Sequence, residues 1–345
     1  MYDPFLVLTT EVPEVDEAAA GQILCEHFGL SGHLEPLDSE RDRNYLVTTE
    51  QGEKAVLKIA NSAEAAEVTA MQTDALLHVG VADPELAVPR VKRTVEGDTL
   101  AEITAADGRA HLARVVSWVD GTPLQYAERV PGYADAVGRL AARLGWALAG
   151  YWHDARDHAL LWDLKHASQL RELLDCIDDR ALRSLCAARL DRFDSDVAPL
   201  LKQLRKQFIH NDLNPSNVLV DAQDPSKMVG VIDFGDVAFS PLIVDVAVAS
   251  AYLLKDGPDA LADMLDFVAA YSEKLTLNEY ELGVLFDLTL TRSTMTVLIT
   301  HWRAARYPEN REYILRNETR ARTLLEQLHG STPPDIAADL RGRTA

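Results

Sequence analysis

Cysteine is scarce in this chain. Three stand in 345 residues, Cys25, Cys176 and Cys186, widely spaced and without any Cys-x-x-Cys. That number and spacing exclude a disulfide framework and a thiolate zinc site, and they fit a reducing compartment. Basic residues are in deficit as well, 34 against 54 acidic, for a formal net charge of −20. A field of that sign repels nucleic acid and anionic membranes and favours cationic ligands. Long hydrophobic runs are missing. The longest apolar stretch, Pro241 to Leu254, is interrupted by Asp245 and falls short of the roughly 20 residues that a bilayer-spanning helix needs. The first residues carry no basic leader of the secretory kind. Internal repeats, low-complexity tracts and a Gly-x-Gly-x-x-Gly phosphate loop are absent too. What remains is a cytoplasmic globular protein, 47% apolar and long enough for two lobes, with no nucleic-acid or membrane partner expected.

Against these absences stands Phe208-Ile209-His210-Asn211-Asp212-Leu213-Asn214-Pro215-Ser216-Asn217-Val218-Leu219-Val220, followed by Val231-Ile232-Asp233-Phe234-Gly235-Asp236. Val218–Val220 and Val229–Ile232 are short β-branched runs separated by the turn formers 221–228, so they read as a hairpin. Asn217 enters its first strand and Asp233 leaves its second, and folding the hairpin is expected to bring the two side chains together. Asp212 lies one short loop upstream. An ordinary turn explains an Asp, an Asn or a Pro, but not the joint spacing. Asp212 and Asn217 reproduce the Asp-x-x-x-x-Asn of a kinase catalytic loop, and Asp233-Phe234-Gly235 its metal-binding triplet. In this reading His210, Asp212 and Asn217 are the catalytic group, and Asn217 and Asp233 hold Mg²⁺.

The first third predicts an antiparallel sheet with one inserted helix. A short helix runs from Asp16, its candidate N-cap, to Phe28 with Gly29 beyond it. Strand-like segments follow at His33–Leu37, Tyr45–Thr49, Ala55–Ala60, Pro89–Thr94 and His111–Val119. Between them Val68, Met71, Ala75, Leu76 and Val79 recur at helical spacing over Ser62–Val79. From Tyr133 onward the pattern is helical: Arg139–His153, then Ala167–Phe208 and Asp259–Gly330, interrupted by the hairpin. The tail after Gly330 is expected to fray. The fold class is therefore α+β, a small nucleotide-binding lobe over 1–119 and a larger, mostly helical lobe over 120–345.

Lys58, within Val56-Leu57-Lys58-Ile59, is an ammonium on an apolar strand and a candidate for nucleotide phosphates. Gln72 shares the helix face of Val68, Met71 and Ala75, where a kinase carries the glutamate that holds this lysine. An amide orients the lysine without neutralising it, and Glu64 and Glu67 are the alternatives. In the turn Asp38-Ser39-Glu40-Arg41-Asp42-Arg43-Asn44, Arg43 and Asn44 are candidates for the phosphates. Ser117 and Val119, at the end of the last strand of the first lobe, offer backbone to the base. Asp245, alone in the apolar Ile243-Val244-Asp245-Val246-Ala247, needs a buried partner and reads as a brace for the catalytic-loop backbone.

Together these residues resemble the aminoglycoside phosphotransferase and choline kinase superfamily, with its two-lobed protein-kinase-like fold, from about Asp16 to Arg316. The resemblance implies that Asp212 is the catalytic base, that Asn217 and Asp233 hold Mg²⁺, that Lys58 meets the phosphates, and that ATP or GTP is the co-substrate. Glu40–Tyr45, Trp162-Asp163-Leu164, Ile232–Asp236, and Tyr307-Pro308-Glu309-Asn310 with Tyr313 look like the hydroxylysine kinase group and the kinase-like domains fused to class III aminotransferases. Gln72 in place of glutamate also looks like that group. The expected acceptor is a small hydroxylated amino acid or amino alcohol, 5-hydroxylysine first and homoserine next, with Asp236 for its amine, Arg292 or Arg303 for its carboxylate, and Trp302, beside Arg303, as a further acceptor-binding candidate. Three rival readings are a protein serine/threonine kinase, an aminoglycoside phosphotransferase and a degenerate nucleotide-binding module. Asn211 where protein kinases place an arginine, and the lack of Ala-Pro-Glu after Gly235, weigh against the first. Survival of Asp212, Asn217 and Asp233 weighs against the last.

Overall fold

The computed structural model describes residues 5–39, 41–255, 257 and 259–344. They divide into two compact units. The first comprises Met1–Gly121, Tyr151–Leu161 and Val229–Val237, and the second Thr122–Gly150, Trp162–Met228 and Ala238–Ala345. The first break falls after Gly121. The two shorter segments, remote in sequence, belong with the first unit.

In the first unit, helix α1 (Glu17–Phe28) begins where Asp16 accepts the Ala19 N–H at 2.8 Å. It ends at Gly29, whose φ of 60° lets its N–H turn back to Cys25. Ala20, Leu24 and Phe28, four residues apart, bury one stripe against the sheet. The strands are β1 (Gly32–Leu37), β2 (Arg43–Thr49), β3 (Lys54–Ile59), β4 (Val91–Lys92), β5 (Ala101–Thr104) and β6 (Ala110–Ser117). All their pairings are antiparallel, in the order β1-β2-β3-β6-β4 with β5 on β6. β2 alternates as a half-buried strand does, with Tyr45, Val47 and Thr49 inward. β3 sends Leu57 and Ile59 into the core and Lys58 to the other face. Register sets Asn44, Lys58 and Arg114 side by side across β2, β3 and β6. Helix α2 (Ala66–Ala82) starts four residues later than expected. β4 is shorter than Pro89–Thr94, and β5 was not foreseen.

In the second unit, β7 (Thr122–Pro123) pairs with β9 (Val218–Val220). Helix α3 (Tyr133–Leu148) begins at Gly132, φ 81°, and stops at Ala149, so it sits earlier than Arg139–His153. The helical reading of Ala167–Phe208 needs correction. The chain there makes 3₁₀ turns over Leu164–Cys176, then α4 (Arg180–Arg192) capped by Asp179, a π turn at Phe193–Val197 and finally strand β8 (Lys206–Ile209). β8 pairs antiparallel with β11 (Ala238–Pro241). Between them in sequence come β9 and β10 (Met228–Val231, all but Met228 counted with the first unit), the strands of the expected hairpin, whose turn closes with Asp221 N–H donating to Lys227 C=O at 3.0 Å.

Helix α5 (Leu242–Ala251) is buried along its whole length, and α6 (Ala262–Ser272) packs on α3. Helix α7 (Glu279–Arg306) starts at a capping box formed by Asn278 and Glu281. By length and composition it is the one described helix able to cross a membrane, but 89% of its most apolar window is buried in the protein. It is the central core helix, and it exceeds Pro241–Leu254 as the longest apolar segment. After α8 (Glu318–Leu328), the tail that was expected to fray carries α9 (Ile336–Thr344). Glu40 and the Tyr313 side chain, both part of the resemblance, lie outside the described residues.

Candidate active site

The segment read as a catalytic loop follows β8 in the second unit. Asn211, at φ 63°, is one of two non-glycine residues in the left-handed region among those described. Its N–H donates to Asp245 Oδ1 at 2.7 Å, and the His210 backbone also donates to this carboxylate. Asp245 is thus the brace foreseen for the loop. Burial raises its pKa to about 6, against the lowering effect of those two bonds. His210 is wholly buried, and its Nδ1 accepts the Asp212 N–H at 3.3 Å. In this geometry it shapes the loop around the acid two residues on.

The Asp212 carboxylate is held from several sides. Asn214 Nδ2 lies 3.0 Å from each of its oxygens, and Asn217 Nδ2 lies 2.7 Å from Oδ2 and 3.0 Å from the Asp212 carbonyl. Arg292, reaching from α7, places Nη2 3.3 Å from Oδ1. The Arg292 side chain is only 4% exposed. Its guanidinium carbon lies 4.6 Å from the centre of the Trp162 ring, and Nη1 donates to the Trp162 carbonyl at 3.2 Å. Asn214 and Trp162 were given no role in this site on sequence grounds. The signal for Asn214 was its place inside Asp-x-x-x-x-Asn, where an amide two residues from an acid can fold back onto it. For Trp162 the signal was its place in Trp162-Asp163-Leu164, but its meeting with Arg292 is made only in the fold.

The other arm of the motif belongs to the first unit. Asp233, at φ 62°, accepts Gly235 N–H at 3.2 Å and pairs with Lys58 Nζ at 3.3 Å, both through Oδ1. Lys58 therefore meets the acid of the Asp-Phe-Gly triplet. Gln72, expected to orient Lys58, is engaged elsewhere. Its Oε1 accepts from Arg114 Nη2 at 2.9 Å, and its Nε2 donates to the Gly235 carbonyl at 2.9 Å and to Glu64 Oε1 at 3.2 Å. The reason is Arg114, buried across the sheet from Lys58, which also donates to Thr73 Oγ1 and the Thr69 carbonyl and draws the amide oxygen to itself. Glu67 is exposed, and Glu64 lies between Arg41 and Arg114, its pKa raised by burial against the pull of Arg41.

Asp236, expected to receive the acceptor's amine, is paired with Arg41 at 2.9 Å and is 15% exposed. Burial opposes the charge of Arg41, but Asp236, Glu64, Asp42 and Asp233 outweigh it and hold its pKa above the ordinary value. Arg43 donates from Nε to the Pro13 carbonyl at 3.3 Å, which turns it toward the N-terminal segment. Asn44 faces Lys58 in register, and its Oδ1 is buried without a hydrogen bond among the described residues. The Ser117 N–H donates to the Arg90 carbonyl, the Ser117 hydroxyl accepts Arg90 N–H, and Trp118 N–H donates to Lys54.

Trp302 and Arg303 stand ten and eleven residues beyond Arg292 on α7, about 15 Å along the axis. One small amino acid cannot bridge that distance, so neither joins Arg292 in an acceptor site.

No cluster of three or more His, Cys, Asp or Glu occurs among the described residues. The available metal ligands are instead oxygens of single side chains. Asn217 commits its amide nitrogen to Asp212, which leaves Oδ1, and the Asp233 side chain is about half exposed. Each of these oxygens is the kind of donor that a hard cation accepts.

A family model described as APH, phosphotransferase enzyme family, matches residues 33–280. Hydroxylysine kinase of Mus musculus is 25% identical over 328 residues, covering 88% of this chain and 86% of the relative. Hydroxylysine kinase of Bos taurus is 24% identical over the same shares. Among solved structures, an amicoumacin kinase in complex with AMP-PNP, Ca²⁺ and Ami superimposes with a TM-score of 0.72 at 17% identity, covering 94% of this chain and 97% of the other. A microcompartment-associated aminopropanol kinase gives 0.66 at 20% identity, covering 92% and 98%. These two likenesses establish the fold.

Proposed function

Because the chain belongs to the phosphotransferase enzyme family APH, and is a kinase with an alcohol group as acceptor, we propose that it transfers the terminal phosphate of ATP or GTP, with Mg²⁺, to the hydroxyl of a small amine-bearing amino acid. 5-Hydroxylysine is the first candidate and homoserine the second. The observation that carries this reading is the Asp212 carboxylate, held by Asn214, Asn217 and Arg292. A base must be aimed, and three donors on one carboxylate fix its direction. The acceptor's class is supported by the hydroxylysine kinases, which align over 88% of the chain. The acidic surplus adds support by favouring an ammonium group.

In this reading Asn217 and Asp233 hold Mg²⁺, which when bound supplies charge neutralisation on the phosphates. Lys58 takes the phosphates, with Asn44 its neighbour in register, and Val119 backbone meets the base. Asp212 orients and accepts the hydroxyl proton. Arg292 keeps Asp212 aligned, and its own burial leaves it little area for a substrate carboxylate. Asp236 is not assigned to the amine, since Arg41 occupies it.

The test is a phosphate-transfer screen of hydroxylysine, homoserine, choline, ethanolamine and kanamycin, run with wild type and Asp212→Asn. Turnover with hydroxylysine or homoserine is expected, falling by roughly a hundredfold or more in the variant. Nucleotide affinity should stay nearly unchanged, because the base faces the acceptor. Kanamycin or a protein as the sole acceptor would end the amino-acid reading, and a variant near wild-type rate would show that another group is the base.

A further inference from the structure

The loop that carries Asp233 is gripped at three points by side chains of its own unit. Lys58 pairs with Asp233, Gln72 donates to the Gly235 carbonyl, and Arg41 pairs with Asp236. We propose that Arg41 is the positioning residue that fixes the metal-ligating Asp233, acting through Asp236 and across Gly235, while Gln72 and Arg114 do the tethering that a lysine–glutamate pair does in other kinases. This rests on Asp233 being a metal ligand, as read above, and assigns the residues that aim it.

Asp233 needs such a hold. A left-handed φ at a non-glycine residue costs about 1 kcal/mol and persists where its surroundings over-determine it. Its own side chain helps through Gly235 N–H, but that bond is local and turns with the loop. Lys58 is a single point charge on a flexible stem and, in the same reading, is directed to phosphates. Arg41 has neither weakness. Its side chain is 18% exposed, so its pair with Asp236 is little screened. Its main chain is anchored, since the Arg41 carbonyl accepts Asn61 Nδ2 at 3.0 Å. Its guanidinium also lies over Gly235, where an added Cβ would stand 2.6 Å from Arg41 Nη2 and 3.1 Å from Asp233 Oδ1. The absence of a side chain at Gly235 is therefore what lets Arg41 reach Asp236. Gln72 fixes the same residue from the opposite end of its peptide, through the carbonyl, and Arg114 holds Gln72 still.

The test measures binding of ADP by calorimetry, with Mg²⁺ and with EDTA, so that it needs neither turnover nor an acceptor. Wild type should bind ADP more tightly with Mg²⁺. Arg41→Met should weaken ADP binding with Mg²⁺ by about 10- to 100-fold, as losing the residue behind a metal ligand does, and alter binding in EDTA by less than about twofold. Asp236→Asn, nearly isosteric and tolerant of folding, should match it, and Arg41→Lys should fall between. The double variant should be no worse than either single, because both break one link. Equal losses with and without Mg²⁺, additive losses, or no loss in Asp236→Asn would each overturn the proposal while leaving Asp233 as ligand. Wild type with no Mg²⁺ dependence would overturn the metal reading itself, and this proposal with it.

Discussion

Asn211 shows at the scale of one residue how the loop is bent. It is wholly buried at φ 63°, and neither atom of its side-chain amide is hydrogen-bonded among the described residues. Each such buried group costs about 1 to 3 kcal/mol, and asparagine tolerates the left-handed region better than most residues. What the site gains is a backbone turn that presents Asp212, secured by Asp245 through the Asn211 N–H. Asp245 makes this brace pH-sensitive. Its pKa of about 6 lies above the ordinary carboxylate value, so between about pH 4 and 6 the folded chain binds a proton that the unfolded chain has released. The contribution of Asp245 to stability is therefore full below that window and declines as pH rises through it, by up to about 1.4 kcal/mol per pH unit. Asp245→Asn should lack this component. Denaturant titrations across that range should give a wild-type curve that falls relative to the variant, and parallel curves would show that Asp245 does not titrate there.

Among the elements, the close approach of α3 and α6 depends on a missing side chain. A Cβ at Gly138 would run into the Phe267 carbonyl oxygen and stand 3.1 Å from the Ala270 Cβ. Alanine favours a helix over glycine by about 1 kcal/mol, but the collision with backbone outweighs it, since overpacking costs about 1 to 3 kcal/mol. Gly138→Ala should lower the Tm by a few degrees, and a melting curve at or above wild type would mean that the helices part without cost. Helix α7 carries a second lesson. It begins at a capping box and sends Arg292 to Asp212 and Asp287 to Arg189 and Arg192, so this one apolar helix braces the catalytic loop and pairs with α4.

The net charge of −20 acts at the scale of the whole molecule. If the acceptor is an ammonium compound, its encounter is assisted by that field, and salt screens it within about 8 to 10 Å. Raising ionic strength from about 0.01 to 0.15 M should lower kcat/KM for a cationic acceptor severalfold and leave kcat unchanged. A flat kcat/KM would mean that the acidic surface serves solubility alone. The family match over residues 33–280 and the two-unit architecture agree with the α+β kinase-like fold read from the sequence.

The sequence by itself determined what rests on local chemistry. Asp16 and Gly29 bound α1, the alternation of Tyr45, Val47 and Thr49 marks β2, and the turn formers after Val220 close the hairpin. The motif residues Asp212, Asn217 and Asp233, which carry the proposed function, could be singled out because their spacing lies along a short piece of chain. Tertiary structure decided whatever depends on partners far apart in sequence. β8 and β11 were hidden inside helical and apolar patterns, because a strand of four residues is defined by the edge it pairs with. Arg292 reaches Asp212 across 80 residues and Arg41 reaches Asp236 across 195. Gln72 is turned from Lys58 by an arginine that only the sheet register brings near. A charged side chain's partner follows from the space in which it is buried, and periodicity along the chain holds no record of that space.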